Sequence, residues 1–147
     1  MDIIEDIKNQ YLTLLSFLTK VTTMSNDEFI NKIEEISQMG TIMICYTRRE
    51  NEGEKIIIIG SGTVIFEPKI IRGGNYVGHI EDIVVHNMYR SHGIARIILE
   101  RLFDIAEQKK CYKVILDCNA DLEKFYKKIG CKMSGIQMSK YFQIFSK

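Results

Sequence analysis

Residues 78–100 read GHIEDIVVHNMYRSHGIARIILE, and this stretch decides the fold. Its first part, GHIEDIVV, is rich in β-branched residues and predicts a strand, although it carries two adjacent carboxylates, Glu81 and Asp82. Its last part has apolar residues at helical spacing, and the turn between the two parts contains Gly93. Backbone amides and the positive end of a helix dipole coincide at such a turn, so the sequence predicts an anion site there.

Both halves of this stretch also have a plainer interpretation. Glycine-containing turns begin ordinary helices as well as anion sites. Side chains alternate along a strand, so at most one of Glu81 and Asp82 is expected to face any given cleft. The two carboxylates could also be rim charges that pair with lysines.

Upstream of this stretch, the apolar spacing predicts two helices and a hairpin. The first helix runs from Ile3 to about Thr19, and a capping box at Ser25 and Glu28 opens the second, which ends at Gly40. Two strands follow and are joined by a turn at 51–53: TIMICYTR at 41–48 and KIIIIGSGTVIFE at 55–67. Residues 68–75 are predicted to form a loop that leads into the strand at 77–86.

Downstream, KVILD at 113–117 predicts a short strand that is buried on both faces and parallel to its predecessor. A short helix through Leu122, Phe125 and Ile129 stops at Gly130, and residues 136–145 are expected to form a last strand. The order predicts one domain over residues 1–147 of the α/β (α+β) class, with helices on the faces of a mixed, mostly antiparallel sheet.

Composition excludes several classes of protein. The 147 residues carry 20 Lys and Arg against 19 Asp and Glu, so a general binder of nucleic acid is not expected. The chain has no apolar run near the roughly 20 residues that span a bilayer, which argues against membrane insertion. Four cysteines without C-x-x-C spacing indicate a reduced, cytoplasmic protein. The three histidines form no H-E-x-x-H motif, so no metal is predicted.

The motif RSHGIA at 90–95, between an apolar strand and a long helix, resembles the R/Q-x-x-G-x-G/A signature of the GNAT superfamily of acyl-CoA N-acyltransferases. GHIEDIVV, CYKVILDC, FYKKIGC and GIQMSKYF, in this order, are similar more narrowly to the glucosamine 6-phosphate N-acetyltransferase family. The resemblance runs from about Leu14 to Tyr141. It implies the GNAT fold, in which a splayed parallel strand pair binds acetyl-CoA, and transfer of an acetyl group to the 2-amino group of glucosamine 6-phosphate.

The resemblance also implies roles for individual residues. Acetyl-CoA is expected to contact a set of backbone and side-chain groups: Ile83, Val84, Val85, Arg90, Ser91, His92, Gly93, Ile94, Ala95, Asn119, Tyr126 and Lys128. The sugar phosphate is expected to contact a second set: Thr19, Lys69, Ile70, Ile71, Arg72, Glu81, Asp82, Lys113 and Asp117. Tyr126 would protonate the departing thiolate, and Glu81 and Asp117 would serve the attacking amine. By helical spacing alone, Tyr126 would be a core residue.

The chain departs from the family pattern in three places. It begins almost directly at the first helix, where the superfamily typically has a strand. Leu122 stands where the family has an asparagine, and Asn119 is the candidate to replace that polar contact. Tyr141, beside Lys140, stands where the family has a basic residue that reaches the sugar phosphate.

The resemblance further implies a homodimer, because family members pair or exchange their last strands. Two alternatives to the amino-sugar reaction stay open. One is a GNAT enzyme for another amine, such as a polyamine, an aminoglycoside or a protein. The other is a non-catalytic acyl-CoA-binding sensor.

Overall fold

The computed structural model describes residues 2–143, which divide into two compact units with a boundary between Leu116 and Asp117. The prediction of a single domain over residues 1–147 stays a prediction. The first unit contains four strands in the order β1-β2-β3-β4: Gly40–Arg49 (β1), Lys55–Pro68 (β2), Tyr76–Val85 (β3) and Cys111–Ile115 (β4). Its helices are Ile3–Leu15 (α1), Asn26–Met39 (α2), the short turn Ile71–Gly74 (α3) and Ile94–Gln108 (α4). The second unit contains the helix Glu123–Lys128 (α5).

The sheet is mixed, as predicted. β1, β2 and β3 pair antiparallel, and β4 pairs parallel to β3 after the crossover through α4. The hairpin between β1 and β2 closes through a 3-10 turn at Glu50–Glu52, and Gly53 takes the left-handed conformation there. The predicted hairpin and the predicted parallel pair are therefore confirmed.

Helices cover both faces of the sheet. The inner strand β2 is buried continuously from Ile58 to Val64, because α1 and α4 both contact it. An added Cβ on Gly62 would lie 2.8 Å from Ile98 Cγ2 of α4, so this glycine lets α4 approach the sheet closely. The neighbouring residues Ser61 and Thr63 point to the other face, where their side chains hydrogen-bond Tyr11 of α1.

The core consequently has two parts. On the α1 side, the buried cluster consists of Tyr11, Leu14, Ile58 and Val84. On the α4 side, the buried residues of the helix are Ile98, Leu99, Leu102 and Ala106. These two sets fix the sheet between α1 and α4.

Two predictions are wrong, one about where a helix ends and one about the burial of a strand. α1 ends at Leu15 rather than near Thr19, since Ser16 Oγ donates to the Thr13 carbonyl at 2.5 Å and the chain tightens into a turn. The strand KVILD is not buried on both faces, because β4 lies at the end of the sheet and Lys113 and Ile115 are exposed.

The predicted last strand is also wrong where the structure describes it. Residues 131–142 adopt no regular secondary structure, and Ile136 is 93% exposed. A strand forms only when its backbone groups find a partner strand, and within residues 2–143 the four strands above pair with one another. Residues 144–145 of that prediction lie outside the described part of the chain.

Candidate active site

The carboxyl end of β3 opens away from β4. Within residues 2–143, their ladder begins at Tyr76↔Cys111 and ends at His79↔Ile115, while β3 continues to Val85. β2 covers the other edge of this last part, with Ser61 opposite Val84 and Gly60 opposite Val85. The residues predicted to bind the cofactor arm therefore lie on a strand edge that β4 leaves open, where small molecules bind in such sheets.

A β-bulge interrupts β3 beside this opening. Ser61 pairs with Val84 and Thr63 pairs with Glu81, so β3 has one extra residue here. Asp82 takes the left-handed conformation at φ 52. Glu81 and Asp82 are both exposed, and the bulge interrupts the regular pairing of the strand at these residues. The bulge also re-aims the backbone amides that follow it.

The turn after β3 has the backbone of an anion site. Ser91 and Gly93 both take positive φ values, 67° and 76°, and Gly93 is the N-cap of α4. Glycine has no side chain to cap the helix, so the first amides of α4 keep their hydrogen-bonding capacity. Among the described residues, no heavy atom outside the immediate chain neighbours lies within 4 Å of a Cβ built on Gly93, so the space beside it is open. This geometry fits a phosphate or pyrophosphate group.

Hydrogen bonds from two side chains stabilise this turn. Arg90 Nε donates to the Val85 carbonyl at 3.3 Å. His92 Nδ1 donates to the Arg90 carbonyl at 2.8 Å, which folds the imidazole back onto the turn. In this structure both predicted cofactor ligands therefore shape the turn, and both are exposed beside it.

Three of the predicted phosphate contacts gather around one aromatic ring. The guanidinium of Arg72 lies 5.5 Å from the centroid of the Tyr112 ring, and Lys113 Nζ lies 5.7 Å from it. Lys69 is the third of these cations; its pKa is raised mainly by the hydrogen bond to Glu67, and Tyr112 makes the smallest contribution. In a chain of net charge +1, this is a local concentration of positive charge.

Lys69 has a carboxylate partner that the sequence did not reveal. Glu67 Oε1 forms an ion pair with Lys69 Nζ, and Glu67 Oε2 lies 2.5 Å from His79 Nε2. Hydrogen bonds from Lys69 and then from His79 lower the pKa of Glu67. The bond to Glu67 is the main reason that the pKa of Lys69 is raised.

The other predicted substrate contacts of the first unit are exposed. Thr19 follows the end of α1, where its amide donates to the Leu15 carbonyl at 3.4 Å. Ile70 and Ile71 project from the loop between β2 and β3 with 98% and 61% exposure. The loop is closed by the Lys69 amide, which donates to the Asn75 carbonyl at 3.1 Å.

The second unit contains the remaining candidates. Tyr126 is buried, with 8% exposure, and its burial is the main reason that its pKa is raised, followed by the nearby Cys118 and Cys131. Asp117 Oδ2 accepts a 2.7 Å hydrogen bond from Gln137 Nε2. Asn119 precedes a 3-10 turn at Ala120–Leu122, and its carbonyl accepts from the Leu122 amide at 2.9 Å.

Two details of this unit bear on the predictions. Lys128 is the last residue of α5 and is exposed. β4 ends at Ile115, so Asp117 lies beyond the strand. The predicted strand KVILD at 113–117 therefore ends two residues earlier than expected.

Three residues at these sites were missed by the sequence predictions: Glu67, Tyr112 and Gln137. Glu67 lies two residues before a predicted phosphate ligand, and Tyr112 lies one before another. That proximity was the available signal. Gln137 gave no signal, because its partner Asp117 is 20 residues away in the sequence.

Two kinds of feature are absent from the part of the chain that the structure describes. No helix within residues 2–143 is long and apolar enough to cross a membrane. The same residues contain no group of three His, Cys, Asp or Glu side chains arranged to hold a metal ion.

Comparison with known proteins adds a family match and related sequences. The pattern of the Acetyltransferase (GNAT) family matches residues 12–131. The glucosamine 6-phosphate N-acetyltransferase of Arabidopsis thaliana is 37% identical over 140 residues, which cover 95% of this chain and 92% of that protein. The glucosamine 6-phosphate N-acetyltransferase 1 of Dictyostelium discoideum is 36% identical, with 94% and 86% covered.

Solved structures agree with the sequence comparisons. The crystal structure of glucosamine-6-phosphate N-acetyltransferase from Arabidopsis thaliana superimposes with a TM-score of 0.82 at 37% identity, covering 95% of this chain and 94% of that one. An acetyltransferase from Trypanosoma brucei gives the same TM-score at 34% identity, with 94% of each chain covered. The mixed sheet that opens between β3 and β4 is thus shared with acetyltransferases of known structure.

Proposed function

Because this chain belongs to the GNAT acetyltransferases, and within them to the glucosamine 6-phosphate N-acetyltransferase family, we propose that it acetylates an amino-sugar phosphate. The reaction moves the acetyl group of acetyl-CoA to the 2-amino group of D-glucosamine 6-phosphate. The products are N-acetylglucosamine 6-phosphate and CoA, a step towards UDP-N-acetylglucosamine. The observation that carries the choice of acceptor is the group of cations around Tyr112, formed by Lys69, Arg72 and Lys113.

Acetyl-CoA is assigned to the open edge of β3 and the turn that follows it. The backbone of Ile83, Val84 and Val85 pairs with the pantetheine arm, as an added strand would. The turn at 90–95 binds the pyrophosphate through its amides, supported by the dipole of α4. Asn119, Tyr126 and Lys128 supply further contacts. The transfer needs no metal ion.

The attacking nitrogen must first lose a proton, since an ammonium group is not a nucleophile. Glu81 and Asp117 are assigned to the ammonium group, whose hydrogen bonds their carboxylates accept, and Asp82 is assigned as a further substrate contact. The nitrogen then forms a bond to the acetyl carbon as the carbonyl π electrons move onto oxygen, and the carbon–sulfur bond breaks when the carbonyl re-forms and releases the thiolate. Backbone amides at the bulge of β3 stabilise the oxyanion that develops during this step.

Tyr126 is assigned as the donor to the departing CoA thiolate. Burial raises the pKa of its phenol, so the group keeps its proton at neutral pH and has one to donate. We expect Tyr126→Phe to lower kcat by about 100-fold, the lower end of the usual contribution of a general acid, with a small change in KM. Unchanged turnover at saturating substrate would remove this role. Phe125→Tyr provides a control at the adjacent, half-buried position.

A homodimer and a cytoplasmic location complete the proposal. The exposed apolar side chains Ile136, Met138, Tyr141 and Phe142 support pairing of the C-terminal segment with a second copy, where Lys140 or Tyr141 would approach the sugar phosphate. Light scattering after size exclusion should give twice the chain mass at micromolar protein. A monomer there would contradict the dimer.

The four free cysteines are consistent with a reducing compartment.

Thiol release from acetyl-CoA tests the function, with glucosamine 6-phosphate, unphosphorylated glucosamine and spermidine as separate acceptors. The proposal requires a strong preference for the phosphorylated sugar. Preference for spermidine would keep the fold and change the acceptor class. Binding of acetyl-CoA without release with any of the three would favour a sensor.

A further inference from the structure

Glu67 is a carboxylate placed among the cations assigned to the sugar phosphate. It lies near the end of β2, where His79 of β3 is a diagonal neighbour across the ladder, since Ile65 pairs with His79 and Glu67 pairs with Val77. One oxygen contacts Lys69 Nζ and the other lies 2.5 Å from His79 Nε2. Both oxygens of the carboxylate therefore have a partner, and its orientation is fixed from two sides.

A carboxylate at this position has an electrostatic cost for the proposed substrate, because it repels a phosphate dianion. A favourable effect of Glu67 on its neighbouring cations would have to offset this repulsion of the phosphate. Arg72 and Lys113 are each held against the face of Tyr112. Lys69 has Glu67 instead, and this ion pair restricts the rotamers of the long lysine side chain.

We propose that Glu67, oriented by His79, is a positioning residue that holds Lys69 in place for the phosphate of the acceptor sugar. This inference rests on the proposed function and extends it to a residue that touches neither the amine nor the thioester. It gives the ion pair between Glu67 and Lys69 a function in substrate binding. It also makes Glu67 and His79 determinants of the preference for phosphorylated over unphosphorylated sugar.

The first test is Glu67→Gln, which keeps the shape of the side chain and removes its charge. We expect KM for glucosamine 6-phosphate to rise about two- to fivefold, the effect of losing one exposed ion pair, while kcat stays within about twofold. For unphosphorylated glucosamine, kcat/KM should change less than twofold. A purely structural role for Glu67 would lower kcat/KM equally for both sugars. A loss confined to the phosphorylated sugar therefore distinguishes a positioning role from a structural one.

A matched control and a second variant make the result decisive. Glu35→Gln removes an exposed ion pair with Lys32 on α2, and its kinetics should equal those of the wild type. Lys69→Met should raise KM for the phosphorylated sugar by at least about tenfold, as expected for a lost charged hydrogen bond. Adding Glu67→Gln to Lys69→Met should then have no further effect, because the residue would act only through Lys69.

Each other outcome overturns part of the account. If the wild type acetylates glucosamine 6-phosphate but Glu67→Gln leaves its KM unchanged or lowers it, this inference is wrong and the proposed function stands. Additive effects in the double variant would also overturn it. If the wild type does not use the phosphorylated sugar, the proposed function fails and the inference fails with it.

Discussion

The helices α2 and α4 are nearly equal in length and are held in opposite ways. α2 begins with a full capping box, in which Ser25 Oγ accepts from the Glu28 amide at 3.2 Å and the Glu28 carboxylate accepts from the Ser25 amide at 2.8 Å. None of its residues, Asn26–Met39, is buried. α4 begins at a glycine and has no acidic residue in its first turn, yet four of its residues are buried.

The difference separates two ways of stabilising a helix. α2 depends on its own ends, whereas α4 is fixed by the core and can leave its first amides without a cap. Only the second arrangement makes a helix N-terminus available to a bound anion. The position of the cofactor turn is thus maintained by side chains such as Leu102, which lies about two turns away along α4.

The largest expected effect follows from truncating a core side chain of α4. Leu102→Ala should lower the free energy of unfolding by about 2–5 kcal/mol, because the side chain is fully buried. Phe29→Ala, on the half-buried face of α2, should lower the free energy of unfolding by a smaller amount. Urea unfolding of the two variants measures both changes in the free energy of unfolding. Equal losses would mean that α2 is held by packing after all.

The next effect is at the N-terminus of α4. Ala95→Glu places a negative charge beside the uncapped amides, so we expect KM for acetyl-CoA to rise about tenfold while the helix dipole stabilises the fold by about 0.3–1 kcal/mol. Gln108→Glu adds the same charge at the other end of α4 and should leave this KM unchanged. A normal KM in Ala95→Glu would place the pyrophosphate elsewhere.

A smaller effect is expected at the cap of α2. Ser25→Ala removes the acceptor for the Glu28 amide and should lower the free energy of unfolding by about 1 kcal/mol. Acetyl transfer by this variant should be normal, since α2 contributes none of the assigned site residues. A loss of stability below the error of chemical unfolding would show that the cap does not hold α2.

The smallest effect depends on pH. Hydrogen bonds from the Ser25 backbone and then its side chain lower the pKa of Glu28. A carboxyl group with a lowered pKa stabilises the folded state above its unfolded pKa of about 4.3, and this stabilisation is lost as pH falls through the folded value. The wild type should therefore exceed Glu28→Ala in stability more at pH 7 than at pH 3. A gap that is independent of pH would contradict the ionic cap.

The same comparison explains which predictions from the sequence succeeded. The capping box at Ser25 and the turn at Gly93 are specified by residues a few positions apart, so the sequence predicted both. The bulge at Asp82 depends on the register with β2, where an added Cβ on Gly62 would come within 2.5 Å of Ile83. The sequence of β3 alone therefore did not predict the bulge.

The failures at the candidate site have a related cause. Glu67 meets His79 only because β2 and β3 pair in one particular register, and Gln137 meets Asp117 across 20 residues. The tail at 136–145 was predicted as a strand from its apolar pattern, although a strand also requires a partner that the pattern does not specify. Periodicity predicts local elements, but it does not predict contacts between segments that are distant in the sequence.

The most direct test of the central claim is a competition between two sugars. Equimolar glucosamine 6-phosphate and glucosamine are mixed with limiting acetyl-CoA, and mass spectrometry measures the ratio of the two acetylated products, which equals the ratio of their kcat/KM values. The account predicts that N-acetylglucosamine 6-phosphate dominates. Equal amounts of both products, or an excess of unphosphorylated N-acetylglucosamine, would contradict it.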